Sequence, residues 1–295
     1  MHSQAAKLKE IMAEKRAAVQ EQLANVNTRI IAIASGKGGV GKSTFTVNFA
    51  YNLSKLDKKV LIIDNDIGMA NLDIMLGVQP RFDLGHLLRG NCTLQQAVTE
   101  GPAGIKLLSG ITGDDTFIDI NNDLMHKLGE LGSELENEYD FLLIDLGAGA
   151  GNSIVSTILA AEELILVLTP EPTAVMDSYS LIKILAKHNY HQSIKMIINQ
   201  SDNKKEAKQT AERIIKTVKK YLELEISLFG TVSYDRKISS ALRKQKPFAE
   251  IFSGRPAARD FAEITRKITG EEDPRSGGVK SYFYKMVGFF NKHVK

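Results

Sequence analysis

The sequence is short of cysteine, of long apolar runs and, towards its end, of acidic residues, and each shortage excludes something. The single cysteine, Cys92, rules out an internal disulfide framework and any Cys-rich metal site within one chain. One thiol suits a reducing compartment. No apolar run reaches the ~18 residues of a membrane-spanning helix. The start, Met1 to Lys15, is too charged for a signal peptide. From Arg275 onward there are five Lys or Arg and no Asp or Glu, which leaves 33 basic against 35 acidic residues before it. The net charge of +3 is on this reading a property of the tail. A body at −2 lacks the profile of a general nucleic-acid binder, so no nucleic acid is expected as a partner. The six histidines show no ligand spacing, and no internal repeat is visible.

What is present is an ordinary globular balance: 295 residues, 43% apolar and 25% charged. The chain divides into zones. Residues 1–28 are rich in Ala, Gln, Lys and Glu and lack Gly and Pro, a composition that favours helix. Ala5, Leu8 and Met12 share one face, a stripe too narrow for a core. The segment reads as a docking helix or a solvated arm. Residues 29–269 alternate apolar runs with helical patterns. The runs start at Ile30, Val60, Ile105, Phe141, Leu164, Met196 and Ile226. Most are continuous, as strands buried on both faces require. Helix-length stretches such as Ser43–Leu56, Asp177–His188 and Lys204–Leu222 lie between them. Repeated βαβ units imply an α/β fold, a doubly wound, mainly parallel sheet in a three-layer sandwich. Residues 270–278 read as a flexible linker. Residues 279–295 form a last, short zone.

The strongest signal follows the first run. Gly36-Lys37-Gly38-Gly39-Val40-Gly41-Lys42-Ser43 fits G-x-x-x-x-G-K-[ST] between a strand and a helix. Glycines let backbone N–H groups curl around phosphate oxygens. The following helix directs its positive end at the same anion. Lys42 is expected to reach the β- and γ-phosphates of ATP or ADP, and the Ser43 hydroxyl to ligate Mg²⁺. The second run ends in Asp64-Asn65-Asp66 and the fourth in Asp145-Leu146-Gly147. Carboxylates at the carboxyl ends of parallel strands face the ligand crevice; plain turn aspartates are the alternative. Four apolar residues and then Asp145 make a Walker B pattern, with the carboxylate near Mg²⁺ through water.

Lys37 adds a second lysine to the loop, and the run Lys37 to Ser43, with Thr44 following, resembles the deviant Walker A ATPases of the MinD, ParA and nitrogenase iron-protein type. The iron-protein branch needs two cysteines per subunit, so it is excluded. The resemblance implies an ATPase that dimerises around ATP, with Lys37 crossing to the partner's phosphates, and hydrolysis releasing the dimer. It implies that Asp66 orients the attacking water and that Asp64 serves Mg²⁺ from further out. It places Glu171 near the nucleotide and the dimer seam, although a solvated turn residue reads equally well. Asn199 would contact adenine, for which its amide is suited, while Asn at a strand end is also an ordinary turn starter. Asp235 would lie beside the base.

Within that family the chain resembles the flagellar MinD-like subgroup. Ile67-Gly68-Met69-Ala70-Asn71-Leu72-Asp73 and Asp145-Leu146-Gly147-Ala148-Gly149 carry the likeness, with Thr169 to Ser180 and the N-terminal extension. Gln4, Ala5 and Leu8 match the subgroup's activator pattern, D-Q-A-x-x-L-R, while Ser3 replaces its Asp and Lys9 its Arg. The resemblance implies that this helix stimulates the GTPase FlhF, that the body engages flagellar switch-complex proteins, and that the protein governs flagellar number and placement. A cell-division MinD type, a ParA-type partition ATPase and a slow-hydrolysing adaptor are the competing readings. In 279–295, Tyr282, Phe283, Met286 and Phe290 share one helical face and Lys280, Lys285, Lys292 and Lys295 border the other. This is the profile of an interfacial helix for an anionic membrane surface, placing the protein in the cytoplasm and reversibly on the inner face of the cell membrane. Packing back on the body is the alternative.

Overall fold

The computed structural model of the chain describes residues 28–66, 71–110, 122–136, 138–270 and 278–293, with the side chains of 122–126 and 289–293 outside the description. The strands are β1 Arg29–Ser35, β2 Val60–Asn65, β3 Val98–Glu100, β4 Lys106–Ser109, β5 Phe141–Ala148, β6 Glu163–Leu168, β7 Ile194–Ser201 and β8 Ile226–Ser233. They form one open sheet in the order β3-β4-β2-β5-β1-β6-β7-β8. Every pairing is parallel except β3 with β4. The seven apolar runs became the seven parallel strands. The added edge strand β3, Val-Thr-Glu, is too short and polar to register as a run.

The helices are α1 Lys42–Ser54, α2 Leu72–Leu76, α3 Leu84–Leu88, α4 Leu94–Ala97, α5 Asn122–Leu135, α6 Asn152–Ala160, α7 Pro172–Lys187, α8 Lys204–Tyr221, α9 Ile238–Arg243, α10 Phe248–Ile251, α11 Pro256–Thr269 and α12 Gly278–His293. Alternation along β1 sends Ile31 and Ile33 to one core, shared with α1, α2 and α9 to α11. It sends Ile30, Ala32 and Ala34 to the other, shared with α3 to α8 and α12. Both faces are thus covered, which is why the runs are continuous rather than alternating. Strand order reverses about β1, whose neighbours are β5 and β6. The ligand crevice of such a sheet opens at the carboxyl ends there. At the opposite end, buried Glu163 binds the Arg29 guanidinium at 2.8 and 2.9 Å and also the Lys195 ammonium.

Two features depart from expectation. Clustered basic residues are not confined to the tail. Along α8, Lys204, Lys205, Lys208, Arg213, Lys216, Lys219 and Lys220 are exposed, against two exposed acids, Glu206 and Glu212. The body's charge is therefore segregated, which a sum cannot reveal.

The aromatic face of the last helix is covered. Val279, Tyr282, Phe283 and Val287 are buried, and Met286 packs beside them. Tyr282 shares a hydrogen bond with Thr157 of α6. Glu136, just past α5, accepts the Val279 N–H at 2.9 Å and so caps α12. A Cβ on Gly132 would lie 2.5 Å from the Lys280 Cα, so α12 seats directly on the backbone of α5. Tyr282, Phe283 and Met286, expected to meet the membrane, are here part of the core. Helix spacing specifies an apolar face, and α5 and α6 satisfy it as well as lipid does. The Phe290 side chain, the linker residues 271–277, and residues 1–27 with Gln4, Ala5 and Leu8 lie outside the described residues.

Candidate functional site

The loop 36–41 joins β1 to α1. Gly39 and Gly41 have φ of +79° and +84°, the left-handed region that glycine enters without strain. Gly36 is required for a different reason: a Cβ there would lie 2.3 Å from the Asp177 backbone at the start of α7. Residues 38–44 line a cavity of about 690 Å³ at the carboxyl ends of the strands. Loop N–H groups and the first turn of α1 at such a place would favour an anion.

Pairing of β1 with β5 brings Asp145 alongside Ile33, below that loop. Its carboxylate is the hub of the site. One oxygen accepts the Ser43 hydroxyl at 2.7 Å and the Lys42 ammonium at 2.9 Å. The other accepts the Thr46 hydroxyl at 2.6 Å. Thr46 was not anticipated. It lies one turn after Lys42 on the same helix face, so spacing alone would have found it.

Asp66 lines the cavity, and a Cβ on Gly147 would lie 3.0 Å from its carboxylate. Burial raises the Asp66 carboxyl above its usual range, with Lys42 opposing and Asp145 adding to the shift. Asp64 is more deeply buried. Burial, and then the Asp145 charge, push it to about 6. Its oxygens accept N–H groups from Asp66 and Leu72 at 3.2 and 3.3 Å. It therefore ties Asp66 and Leu72 together through its two oxygens.

Three further candidate residues lie as follows. Lys37 does not line the cavity; its ammonium binds Glu171 at 3.1 Å and the Thr173 hydroxyl at 2.8 Å. Asn199 lies behind the phosphate loop, donating to the Val40 carbonyl at 2.7 Å. Asp235 is buried and paired with Arg255, and it accepts the Lys237 N–H at 2.9 Å. Burial raises its carboxyl, and the Arg255 and Lys237 contacts outweigh that and hold it low. Gln200, Ile238, Ser239 and Leu242 also line the cavity. Two apolar residues with an amide and a hydroxyl suit a flat heteroaromatic base.

The ParA family model, described as NUBPL iron-transfer P-loop NTPase, matches residues 26–269. The chain belongs to the ParA/MinD family of P-loop NTPases. This family member is 30% identical over 240 residues to the antiactivator FleN of Pseudomonas aeruginosa, covering 81% of this chain and 86% of FleN. It is 31% identical over 274 residues to the flagellum site-determining protein YlxH of Helicobacter pylori, covering 89% and 91%. Among solved structures it is similar to the septum site-determining protein MinD of Pyrococcus horikoshii in complex with Mg-ADP. The TM-score is 0.67 at 27% identity, with 82% of this chain and 96% of that one covered.

Members of this ParA/MinD family are ATPases, and the chain is one. Its donor set fits Mg²⁺ with a nucleotide: Ser43 and Asp145 offer hard oxygen atoms 2.7 Å apart beside a glycine cradle. The ion, when bound, supplies charge that offsets the phosphate oxygens. The chain's own groups divide the rest. The loop N–H groups would hold the phosphates, and Lys42, here bound to Asp145, would be the cation within reach of them. Asp66, on the cavity wall, is placed to accept a hydrogen bond from a water.

Proposed function

We propose that the protein is an ATP-dependent dimerising switch that binds membrane reversibly and regulates flagellar number and placement. The observation that carries the dimer is the division of labour between two loop lysines. Lys42 faces the chain's own cavity, whereas Lys37 sits outside it, held by Glu171 and Thr173. A lysine so placed is available to a second nucleotide across a seam. Met176, Tyr234 and Leu242 are exposed apolar side chains near that mouth, which suits a surface covered on dimerisation.

In this reading residues 29–269 are the ATPase domain, 270–278 the linker and 279–295 the membrane-targeting helix. Residues 1–28, through Gln4, Ala5 and Leu8, stimulate FlhF, and the body engages the flagellar switch complex. The name of the relative YlxH, a flagellum site-determining protein, supports the flagellar assignment. Membrane attachment requires α12 to leave α5 and α6, so docked α12 is the cytoplasmic form. No helix among the described residues is long and apolar enough to cross a membrane. Size-exclusion chromatography with ATP, ADP and no nucleotide, with a parallel run containing anionic vesicles, tests the switch. ATP-dependent dimers that bind vesicles support it; a nucleotide-independent monomer refutes it. A peptide of residues 1–28 should raise FlhF GTP turnover, and Gln4→Ala should weaken the effect.

One observation favours a partition-type reading instead, namely the basic face of α8. Phosphate contacts by such a face give salt-sensitive binding to duplex DNA. Tight anisotropy-detected binding to duplex DNA, lost by about 0.2 M salt, would replace the membrane with the nucleoid.

A further inference from the structure

Thr46 lies one turn into α1. It is fully buried and does not line the cavity. Its hydroxyl has two acceptors in reach, the Asp145 Oδ1 at 2.6 Å and the Lys42 carbonyl at 3.2 Å. One proton serves only one of them well. The bond to the carbonyl four residues back is the ordinary one for a helical Ser or Thr. Thr217, Thr265, Ser133 and Ser180 make it at 2.8, 2.8, 2.9 and 3.0 Å. Thr46 stands further from its carbonyl than any of these four, and its shorter bond goes to a carboxylate, the stronger acceptor. The hydroxyl is committed to Asp145.

Asp145 has need of such a partner, because it is 1% exposed and a buried carboxylate must have its oxygens satisfied. The two donors on its Oδ2, Ser43 and Lys42, belong to the nucleotide site. Lys42 would turn to the phosphates, and Ser43 would offer its oxygen to Mg²⁺. The neighbour of Asp145 in β2 is Asp64, whose carboxylate is itself an acceptor. Thr46, outside the cavity, takes no part in holding the phosphates and serves the other oxygen.

We infer that Thr46 is a positioning residue for the metal site: its hydroxyl holds Asp145 Oδ1, so that Oδ2 stays turned to Ser43 and to the Mg²⁺ that the pair would share. The inference rests on the assignment of Ser43 and Asp145 to Mg²⁺. Its logic is that of an outer-shell partner, which fixes the orientation of a carboxylate and so the affinity of the ion it serves. A carboxylate held at one oxygen has one rotamer to offer the ion; released, it must be reoriented each time the ion binds.

The test measures binding of ADP to the full chain by calorimetry, once with Mg²⁺ and once with EDTA. The ratio of the two affinities is the coupling between ion and nucleotide. Thr46→Val keeps the shape of the side chain and removes the donor. It should bind ADP in EDTA as the wild type does and lose about ten-fold of the coupling, the effect of a missing outer-shell partner. Thr46→Ser, which keeps the hydroxyl, should recover most of it. If valine is not accommodated, Thr46→Ala removes the same donor with a smaller side chain. A purely structural role would weaken both affinities by one factor and leave their ratio alone. In steady state, Thr46→Val should need about ten-fold more Mg²⁺ for half-maximal ATP turnover. Wild-type coupling in Thr46→Val would overturn the inference alone. A wild type whose ADP affinity ignores Mg²⁺ would overturn the metal assignment and the inference with it.

Discussion

Substituting Gly132 by alanine tests whether α12 is seated as the structure shows. A Cβ at 132 would lie 2.5 Å from the Lys280 Cα and 2.8 Å from its nitrogen, well inside the ~3.5 Å of a relaxed carbon contact. Both atoms are backbone, so no rotamer change relieves the clash, and α12 must move as a unit. Overpacking of this kind costs about 1–3 kcal/mol. Alanine also favours helix over glycine by about 1 kcal/mol, but α5 gains that whether α12 is docked or not. The docking equilibrium should therefore weaken by about 5- to 150-fold. Hydrogen exchange followed by mass spectrometry reads it directly: amides of 278–293 should exchange faster by that factor, because local opening free energy sets their protection. Nucleotide-free Gly132→Ala protein should also bind anionic vesicles that the wild type does not. Unchanged protection of α12 in the variant would refute the seating.

Other outcomes follow from the site and the core. Asp66→Ala should still bind ATP but hydrolyse it at least 100-fold more slowly, on the order expected for a lost proton-handling group, and should accumulate as a dimer; wild-type phosphate release would remove Asp66 from water orientation. Asp64 gives a pH signature. A carboxyl raised from 3.8 to about 6 by burial stabilises the fold fully below its unfolded value and loses that contribution as pH rises through about 6. Relative to wild type, Asp64→Asn should therefore gain roughly 3 kcal/mol between about pH 4 and about pH 8 in urea unfolding, and a constant difference would contradict the burial argument. Glu163→Gln leaves the buried Arg29 and Lys195 charges without their carboxylate, so it should cost about 3–5 kcal/mol; a loss below about 1 kcal/mol would mean the cluster relaxes into solvent.

The parts legible in sequence were those fixed by local pattern. Seven parallel strands were visible because burial on both faces makes their runs continuous. Ser43, Asp66 and Asp145 were placed because each ends or follows such a run, and parallel strands gather their carboxyl ends at one crevice. Side-chain direction beyond those ends was not legible. The left-handed turn at Gln200 leaves no periodic trace, so its place on the cavity wall was not legible. Asp235 looked available until Arg255, 20 residues on, was seen to hold it. Ile238 and Leu242 gave no signal, because a short helix with two apolar residues is indistinguishable from core. The face of α12 was read correctly as apolar, but its partner depends on the glycines of α5, which are far away in sequence.

The central claim is that γ-phosphate joins two copies through Lys37. Sedimentation velocity of wild type and Lys37→Ala with ATP, and with ADP, measures it most directly. The wild type should sediment as a dimer with ATP and a monomer with ADP, while Lys37→Ala stays monomeric in both and retains ATP binding through Lys42. Equal dimerisation of the two proteins with ATP, or a wild-type dimer that ignores the nucleotide, would contradict the account.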